Sequence, residues 1–291
     1  MSNTTITKDY KVEITDKLIK ALEVGSAPWQ RTWSCDSAPV NAVTGRYYQG
    51  TNSILLWHEA EKLSSDGDFR WATRNQAEKK GWSIKSGSRP VKISIMIIPD
   101  EEEGVKQRPI RKTFEVYHAS QIRGIPKLIR RTKSCVMSKN EIEEIIYNSS
   151  ARIFEGGSEA LYSSREDLIR MPRKSSFKDT EGYYSTLLHE LAHWTGHESR
   201  LNRFYSWNLT KESYAREELI AEIASMFLSS ETGMYLTQDH FNNHAAYISS
   251  WISLLKSDHE EIFRAAKEAT KATNYILAFR EVRKIEGKKV V

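Results

Sequence analysis

Apolar positions at the start of the chain recur at helical spacing. Ile14, Leu18, Ile19 and Leu22 fall on one face of a predicted helix. Asn52 is expected to cap the next helix, and Gly81 to end a short third one. Two β-branched or aromatic runs then predict a pair of strands joined by an acidic loop. In chain order, the three helices and two strands are predicted over residues 10–24, 52–63, 74–81, 91–98 and 113–118.

The second half of the chain has the pattern of a helix-rich region with a small sheet. Ser138 and Glu141 have the spacing of a capping box that opens a helix, and 151–172 predicts two short strands around a turn. Four helical patterns follow, over residues 181–197, 213–230, 240–256 and 259–278.

Charge and aromatic content divide the chain into two parts. Residues 1–134 hold 23 Lys+Arg and 15 Asp+Glu, a net charge of +8, whereas the remainder holds 20 and 23, a net charge of −3. Five of the eight tryptophans lie in the basic part. The predicted fold class is therefore α+β in two domains, with an α+β domain over 1–130 and a helix-rich domain with a small sheet over 135–291.

Cysteine content and hydropathy indicate a cytoplasmic protein. The chain has two cysteines, Cys35 and Cys135, which make no disulfide framework. Its first residues lack the basic and then apolar pattern of a secretory signal. No apolar run reaches the roughly 18 residues that a membrane span needs, so no membrane partner is expected.

The sequence His189-Glu190-Leu191-Ala192-His193 is the sharpest chemical signal. Histidines four residues apart lie on one face of a helix, where each can offer a ring nitrogen to one zinc ion. Glu190 would lie beside the ion and accept a proton from zinc-activated water, as the catalytic general base. The alternative is a solvated helix with two surface histidines, but apolar neighbours favour a buried site. The predicted cofactor is Zn²⁺, with another divalent transition metal as the alternative.

A third metal ligand must come from elsewhere in the chain. Gly196 matches the glycine of the metzincin pattern, but Ser199 occupies the position of its third histidine, so that class is rejected. Glu218 and Glu222 share a face of a later apolar helix. We expect Glu218 to bind the metal and Glu222 to receive the N–H of a ligating histidine, with the reverse assignment open. Glu217 is expected to be an acid favoured by the helix dipole.

Cations and aromatic residues alternate through the first part of the chain. Binding of single-stranded nucleic acid requires both, because cations neutralise phosphates and flat side chains stack on bases. Any single aromatic could instead belong to the core, as expected for Trp57, but the set favours single-stranded DNA. The candidate residues are the cations Arg31, Arg46, Arg74, Lys85 and Arg89 and the stacking residues Tyr47, Tyr48 and Trp71.

Several of these segments, taken in order, resemble the ArdC-type antirestriction proteins of conjugative plasmids. The resemblance includes APWQRTW, PVNAVTGRYYQGTNSILLW and RWATRNQAEKKGWSIKSGSRPV in the first half, and YYSTLLHELAHWTGHESRLNR and YAREELIAEIASMFL in the second. It implies an N-terminal domain that binds single-stranded DNA and a C-terminal domain with a zincin metallopeptidase fold. It also implies protection of incoming plasmid DNA from restriction.

The expected function is therefore antirestriction by a protein of a conjugative plasmid or similar mobile element. Such a protein would bind single-stranded DNA and carry a zinc metallopeptidase-type site that acts on an unknown protein substrate. The alternative is a non-catalytic protein that coats single-stranded DNA and has a structural or idle zinc site, although the intact Glu190 argues against it. A nuclease is less favoured, since the sequence shows no further carboxylate cluster. The donor that stabilises the transition-state oxyanion is open among Tyr184, His197, Tyr205 and Arg216.

Overall fold

A computed structural model gives the fold of the chain as two compact units. The smaller unit comprises residues 36–130, and the larger unit comprises residues 1–35 together with 131–291. This is the predicted α+β class in two units. The structure describes residues 5–25, 38–63, 67–97, 110–128, 137–204, 210–233 and 247–280.

The smaller unit is built around a four-stranded sheet of order β1-β2-β5-β4, in which only the β1-β2 pair is parallel. A two-stranded ribbon of β3 and β6 contacts helix α3 through β3. The predicted strand pair is confirmed as the antiparallel β4-β5 pair, and the acidic loop predicted between the two strands lies outside the described residues. The elements are β1 (Val40–Asn41), α2 (Thr51–Leu63), β2 (Arg70–Thr73), α3 (Arg74–Lys79), β3 (Ser83–Ile84), β4 (Val91–Ile97), β5 (Ile110–His118) and β6 (Ile122–Arg123).

The core of the smaller unit forms where α2 covers one face of the sheet. Leu56 of α2 packs with Trp71, Ile93 and Val116, which project from three adjacent strands. The predicted helix cap at Asn52 is wrong, because α2 begins one residue earlier and the Asn52 side chain contacts the sheet. Its amide donates to the carbonyl of Ser94 at 2.7 Å and accepts from the Ser94 N–H at 3.2 Å. The residue therefore ties helix to strand.

The larger unit is mostly helical. A three-stranded sheet of order β7-β9-β8 replaces the two strands predicted over 151–172. The predicted capping box is confirmed, since Ser138 and Glu141 each accept the other's backbone N–H at the start of α4. The elements are α1 (Thr5–Glu23), α4 (Lys139–Ser149), β7 (Ile153–Glu155), β8 (Leu161–Ser163), β9 (Leu168–Met171), α5 (Thr180–Trp194), α6 (Lys211–Thr232), α7 (Ile248–Ser257) and α8 (Glu261–Ala278).

Helix α1 belongs to the larger unit, although the sequence grouped it with residues 1–130. It packs against α7, and the hydroxyl of Thr15 donates to the carbonyl of His259 at 2.7 Å. Lys11 pairs with Glu260 at 2.7 Å. The apolar residues that predicted this helix are buried in the larger unit. Their periodicity predicted the helix but not the unit against which it packs.

Helix α6 forms the centre of the larger unit, where it contacts α5, α7 and α8. Every residue from Ala215 to Thr232 is buried except Arg216 and Glu231. A polar residue in this stretch therefore loses its water and needs a protein partner or a ligand. Each helix in the described residues is too short or too polar to cross a membrane.

Candidate metal centre and candidate nucleic-acid interface

Helix α5 carries the two predicted histidine ligands into the interior of the larger unit. The carboxylate of Asp179 accepts the Gly182 N–H at 2.7 Å and so begins the helix. From Gly182 to Trp194 all residues but one are buried, including His189, Glu190 and His193. Burial of two histidines and a carboxylate on one helix is costly unless they share a partner.

The atoms that could bind a metal converge on one point. The Nε2 atoms of His189 and His193 are 3.1 Å apart. Carboxylate oxygens of Glu218 lie 3.5 Å from Nε2 of His193 and 3.8 Å from Nε2 of His189. Ligands about 2.0–2.1 Å from a tetrahedral zinc ion would be about 3.3 Å from one another. The described residues thus contain a buried His-His-Glu triangle with the dimensions and the donor atoms of a transition-metal site.

Glu217 holds His193 from the side opposite the triangle. One of its oxygens lies 3.2 Å from Nδ1 of His193, so the ring nitrogen that faces away from the triangle has a carboxylate partner. A ligating histidine ordinarily donates its other N–H to such an acceptor, which fixes the ring's orientation and tautomer. The interpretation of Glu217 as an acid placed only by the helix dipole is wrong, because its side chain is 2% exposed and contacts a candidate ligand.

Arg203 neutralises Glu217 and joins it to α5. Its Nε and Nη2 atoms donate to the two carboxylate oxygens at 3.0 and 2.6 Å. Its Nη1 donates to the hydroxyl of Thr195 at 2.8 Å, and Nη2 also reaches the carbonyl of Ala192 at 2.8 Å. Removal of one partner of such a buried pair typically costs about 3–5 kcal/mol, because the other charge is left uncompensated. Sequence reasoning did not consider Arg203 and gave Glu217 a different role.

Gly196 permits the chain to return toward α5 after the helix ends. A Cβ atom at this position would lie 2.8 Å from the Phe204 ring and 2.9 Å from Nη2 of Arg203. Gly196, which matches the glycine of the metzincin pattern, therefore allows Arg203 and Phe204 to pack closely against the chain at this position. Nδ1 of His197 lies 2.8 Å from the hydroxyl of Ser199.

The charges around His193 favour a cation at the triangle. Burial by itself lowers the pKa of the imidazole, but the carboxylates of Glu218, Glu217 and Glu190 outweigh it and raise the pKa of His193 to about 9. Three carboxylates converge on this ring, and Arg203 compensates one of them. The remaining negative charge is the electrostatic environment that a divalent cation requires.

The other candidate ligand, His189, is held by α6. The hydroxyl of Ser225 lies 3.3 Å from Nδ1 of His189, so this ring nitrogen also has a polar neighbour away from the triangle. Glu222 lies one turn after Glu218 and is fully buried. Its predicted role as acceptor for a ligating histidine stays a prediction, and Glu217 is the carboxylate that contacts His193 Nδ1.

Three of the four candidate oxyanion donors have other polar partners. The hydroxyl of Tyr184 contacts Glu143 and Lys174, and Arg216 pairs with Glu261. His197 contacts Ser199, while Tyr205 lies outside the described residues. Sequence reasoning did not consider Tyr214, which lies one turn before Glu218 on α6 and accepts a hydrogen bond from the hydroxyl of Tyr247. Burial, followed by the charge of Glu218, raises the pKa of Tyr214 well above its usual range.

Four of the predicted cations of the smaller unit are exposed: Arg46, Arg74, Lys85 and Arg89. Two contacts connect the first pair. The carbonyl of Arg46 accepts the N–H of Asn41 at 2.9 Å, and the Asn41 side chain donates to Gln76 of α3, the helix that begins at Arg74.

Lys85 and Arg89 both contact the turn after β5. Lys85 donates to the carbonyl of Ser120 at 2.6 Å, and the carbonyl of Arg89 accepts from Gln121 at 3.0 Å. Arg31 lies outside the described residues.

The predicted stacking residues differ in exposure. Trp71 is 0% exposed and meets the ring of His118 edge-on at 5.0 Å, so its assignment to an exposed stacking surface is wrong. The sheet face on which Trp71 lies is covered by α2, which the aromatic content of the sequence could not reveal. Tyr48 also packs against this core, accepts a hydrogen bond from Asn41 at 3.1 Å, and has its pKa raised to about 12, chiefly by burial. Tyr47 is partly exposed.

Two family models match consecutive parts of the chain, and the first of them includes most of helix α1, which packs in the larger unit. A family model for the N-terminal domain of the anti-restriction factor ArdC matches residues 8–119, and a model for a zincin-like metallopeptidase matches residues 140–268. Two Escherichia coli proteins named DNA primase TraC are 34% and 33% identical to this chain over 95% and 94% of its length. The chain spans 28% and 20% of the length of these two relatives.

Solved structures match nearly the whole chain. Crystal structures of the antirestriction ArdC protein from plasmid R388, one metal-free and one with Mn(II) bound, are each 32% identical to this chain, with a TM-score of 0.77. The match covers 93% of this chain and 97% of the metal-free structure, and 94% and 98% for the Mn(II)-bound structure. With its ArdC N-terminal domain and its zincin-like domain, the chain belongs to the ArdC family of antirestriction proteins.

Proposed function

We propose that the larger unit is a metal-dependent hydrolase of the peptidase type and that the smaller unit binds single-stranded DNA. Together they would protect incoming DNA from restriction. The observation that carries the first part is the buried triangle of His189, His193 and Glu218, with Glu190 next to the first ligand on α5. The Mn(II)-bound ArdC relative supports a divalent metal, and the His-His-Glu donor set favours zinc.

Each residue of the site has a distinct chemical role in this proposal. His189, His193 and Glu218 would hold the ion, while Glu217 and Arg203 orient His193. The bound ion would lower the pKa of a water molecule and polarise a substrate carbonyl. Glu190 would accept a proton and return it to the leaving amine, which is the work of a general base and acid. A site that serves structure alone has no use for a buried carboxylate at this position.

The DNA-binding part of the proposal is supported by the exposed cations of the smaller unit and by its match to the ArdC N-terminal domain. Arg46, Arg74, Lys85 and Arg89 would neutralise phosphates, and Tyr47 is the candidate for stacking on bases. Paired bases cannot stack on a protein side chain, so single strands should bind more tightly than duplex. Trp71 has no part in this surface.

One paired experiment tests both halves of the proposal. Metal-loaded parent protein and the Glu190→Gln variant are incubated with a mixture of host-cell proteins, and new N-termini are identified by mass spectrometry. We expect new N-termini with the parent that are absent with the variant. Binding of single-stranded and duplex oligonucleotides is measured on the same samples. Tight single-strand binding without any new N-termini would instead favour a DNA-coating protein with an idle metal site.

A further inference from the structure

Tyr214 lies at the edge of the candidate metal centre. It precedes Glu218 by four residues on α6, so the two side chains project from the same face of the helix. Burial and the nearby charge of the Glu218 carboxylate raise the pKa of the phenol. The side chain of Tyr214 is 48% exposed, whereas Glu218 is 6% exposed. The tyrosine therefore spans the boundary between solvent and the buried ligand, where a substrate would approach.

A second tyrosine holds the Tyr214 hydroxyl. The hydroxyl of Tyr247 donates to that of Tyr214 at 3.3 Å, and the two ring centroids are 5.7 Å apart. Tyr247 stacks in turn on Trp251, which is fully buried and donates its indole N–H to the carbonyl of Ala215 on α6 at 3.0 Å. The row Tyr214-Tyr247-Trp251 thus joins α6 to α7 and fixes the phenols beside Glu218.

The arrangement provides a hydrogen-bond donor that carries no charge of its own. Hydrolysis of a peptide passes through a species with negative charge on the former carbonyl oxygen, and this oxygen needs a donor aimed at it beforehand. A phenol on the same helix face as a metal ligand, half exposed and held by a neighbour, satisfies that requirement. Tyr184, Arg216 and His197 have polar partners elsewhere in the larger unit.

We propose that Tyr214 is a catalytic residue of this centre, whose hydroxyl donates to the substrate oxygen on which negative charge develops, and that Tyr247 positions it. The inference rests on the proposed hydrolytic function and adds to it a donor for the developing oxyanion. Loss of one such donor typically lowers kcat by about 100- to 1,000-fold.

Binding of acetohydroxamate to the zinc-saturated protein tests this inference without a known substrate. The hydroxamate binds metal ions through oxygen and presents an oxygen that can accept from a nearby phenol. Calorimetric titration would compare the parent with Tyr214→Phe, Tyr247→Phe and, as a matched control, Tyr147→Phe on α4, where the ring is 78% exposed. Saturating zinc separates probe binding from any change in metal affinity.

We expect Tyr214→Phe to bind the probe about 10-fold more weakly, which corresponds to the loss of one hydrogen bond to a charged group. Tyr247→Phe should show a smaller loss, and Tyr147→Phe should match the parent. Equal probe affinity in Tyr214→Phe and the parent, or a zinc-loaded parent that does not bind the probe, would overturn the inference. A parent that takes up no metal would refute the proposed function itself, so the two failures are distinguishable.

Discussion

The two units of this protein differ in what they bury. The larger unit has charged residues at its centre, with Glu217, Glu218 and Glu222 all at most 6% exposed on one apolar helix. The smaller unit has an apolar core around Trp71, and its cations, such as Arg46, lie at the surface. Buried carboxylates require compensation by a cation or by hydrogen bonds, whereas exposed cations remain solvated at little cost.

This difference separates two ways in which a protein can bind its ligand. In the larger unit a metal ion would be held inside the fold, because the buried side chains of His189, His193 and Glu218 converge on one point. In the smaller unit binding would use side chains that the fold does not need. Substitutions should therefore act on metal content in the first unit and on salt-dependent affinity in the second.

The largest expected effect comes from removal of a histidine ligand. His193→Ala should reduce metal content from about one ion per chain to a trace, since one of three protein ligands is lost. Elemental analysis of dialysed protein measures this. His197→Ala is the matched control, because His197 lies four residues further on and contacts Ser199. Equal metal loss in the two variants would mean that the motif is not the metal site.

Replacement of Trp71 tests the other side of the comparison. Trp71→Ala should lower the free energy of unfolding of the smaller unit by about 3–5 kcal/mol, the usual cost of truncating a buried aromatic residue. Denaturant unfolding followed by circular dichroism measures this, and Trp71→Phe should cost less. If Trp71→Ala kept the stability of the parent but bound DNA more weakly, Trp71 would be a stacking residue after all, and the conclusion drawn from its burial would be wrong.

A smaller effect is expected from the carboxylates that support the ligands. Glu217→Gln should weaken metal binding roughly 10- to 100-fold, because a neutral amide supports the His193 N–H less well than a carboxylate does. Competition with a chelator measures the affinity, and Glu231→Gln on the same helix serves as control. If Glu222→Gln caused the loss and Glu217→Gln did not, the support of the ligating histidine would belong to Glu222, as the sequence suggested.

The smallest effect concerns the basic surface. Arg46→Ala should make the log–log dependence of single-strand affinity on salt shallower by about 0.7, the contribution of one phosphate contact. Fluorescence anisotropy over a range of salt concentrations measures the slope. Arg170→Ala, an exposed arginine of the larger unit, should leave the slope unchanged. A change of slope in Arg170→Ala alone would place DNA binding outside the smaller unit.

Metal chemistry made the larger unit's site more predictable than the smaller unit's surface. Two ligands on one helix must share a face, so a fixed spacing pointed to His189 and His193, and the same spacing between Glu218 and Glu222 pointed to the carboxylates of α6. No such spacing links Arg203 to Glu217, because a turn that depends on Gly196 brings them together. Stacking imposes no spacing either, and tertiary packing alone decided that Trp71 lies inside. The helices were predictable from periodicity, whereas the burial of α1 in the larger unit depended on distant residues.

The metal content of two glutamate variants tests the central claim most directly. If Glu190 is the base and Glu218 a ligand, Glu190→Gln should retain about one metal ion per chain, as the parent does, while Glu218→Gln should lose most of it. Both residues are buried in the same centre, so a general disturbance of the fold would affect them alike. Equal metal loss in the two variants, or a parent without metal, would contradict the account.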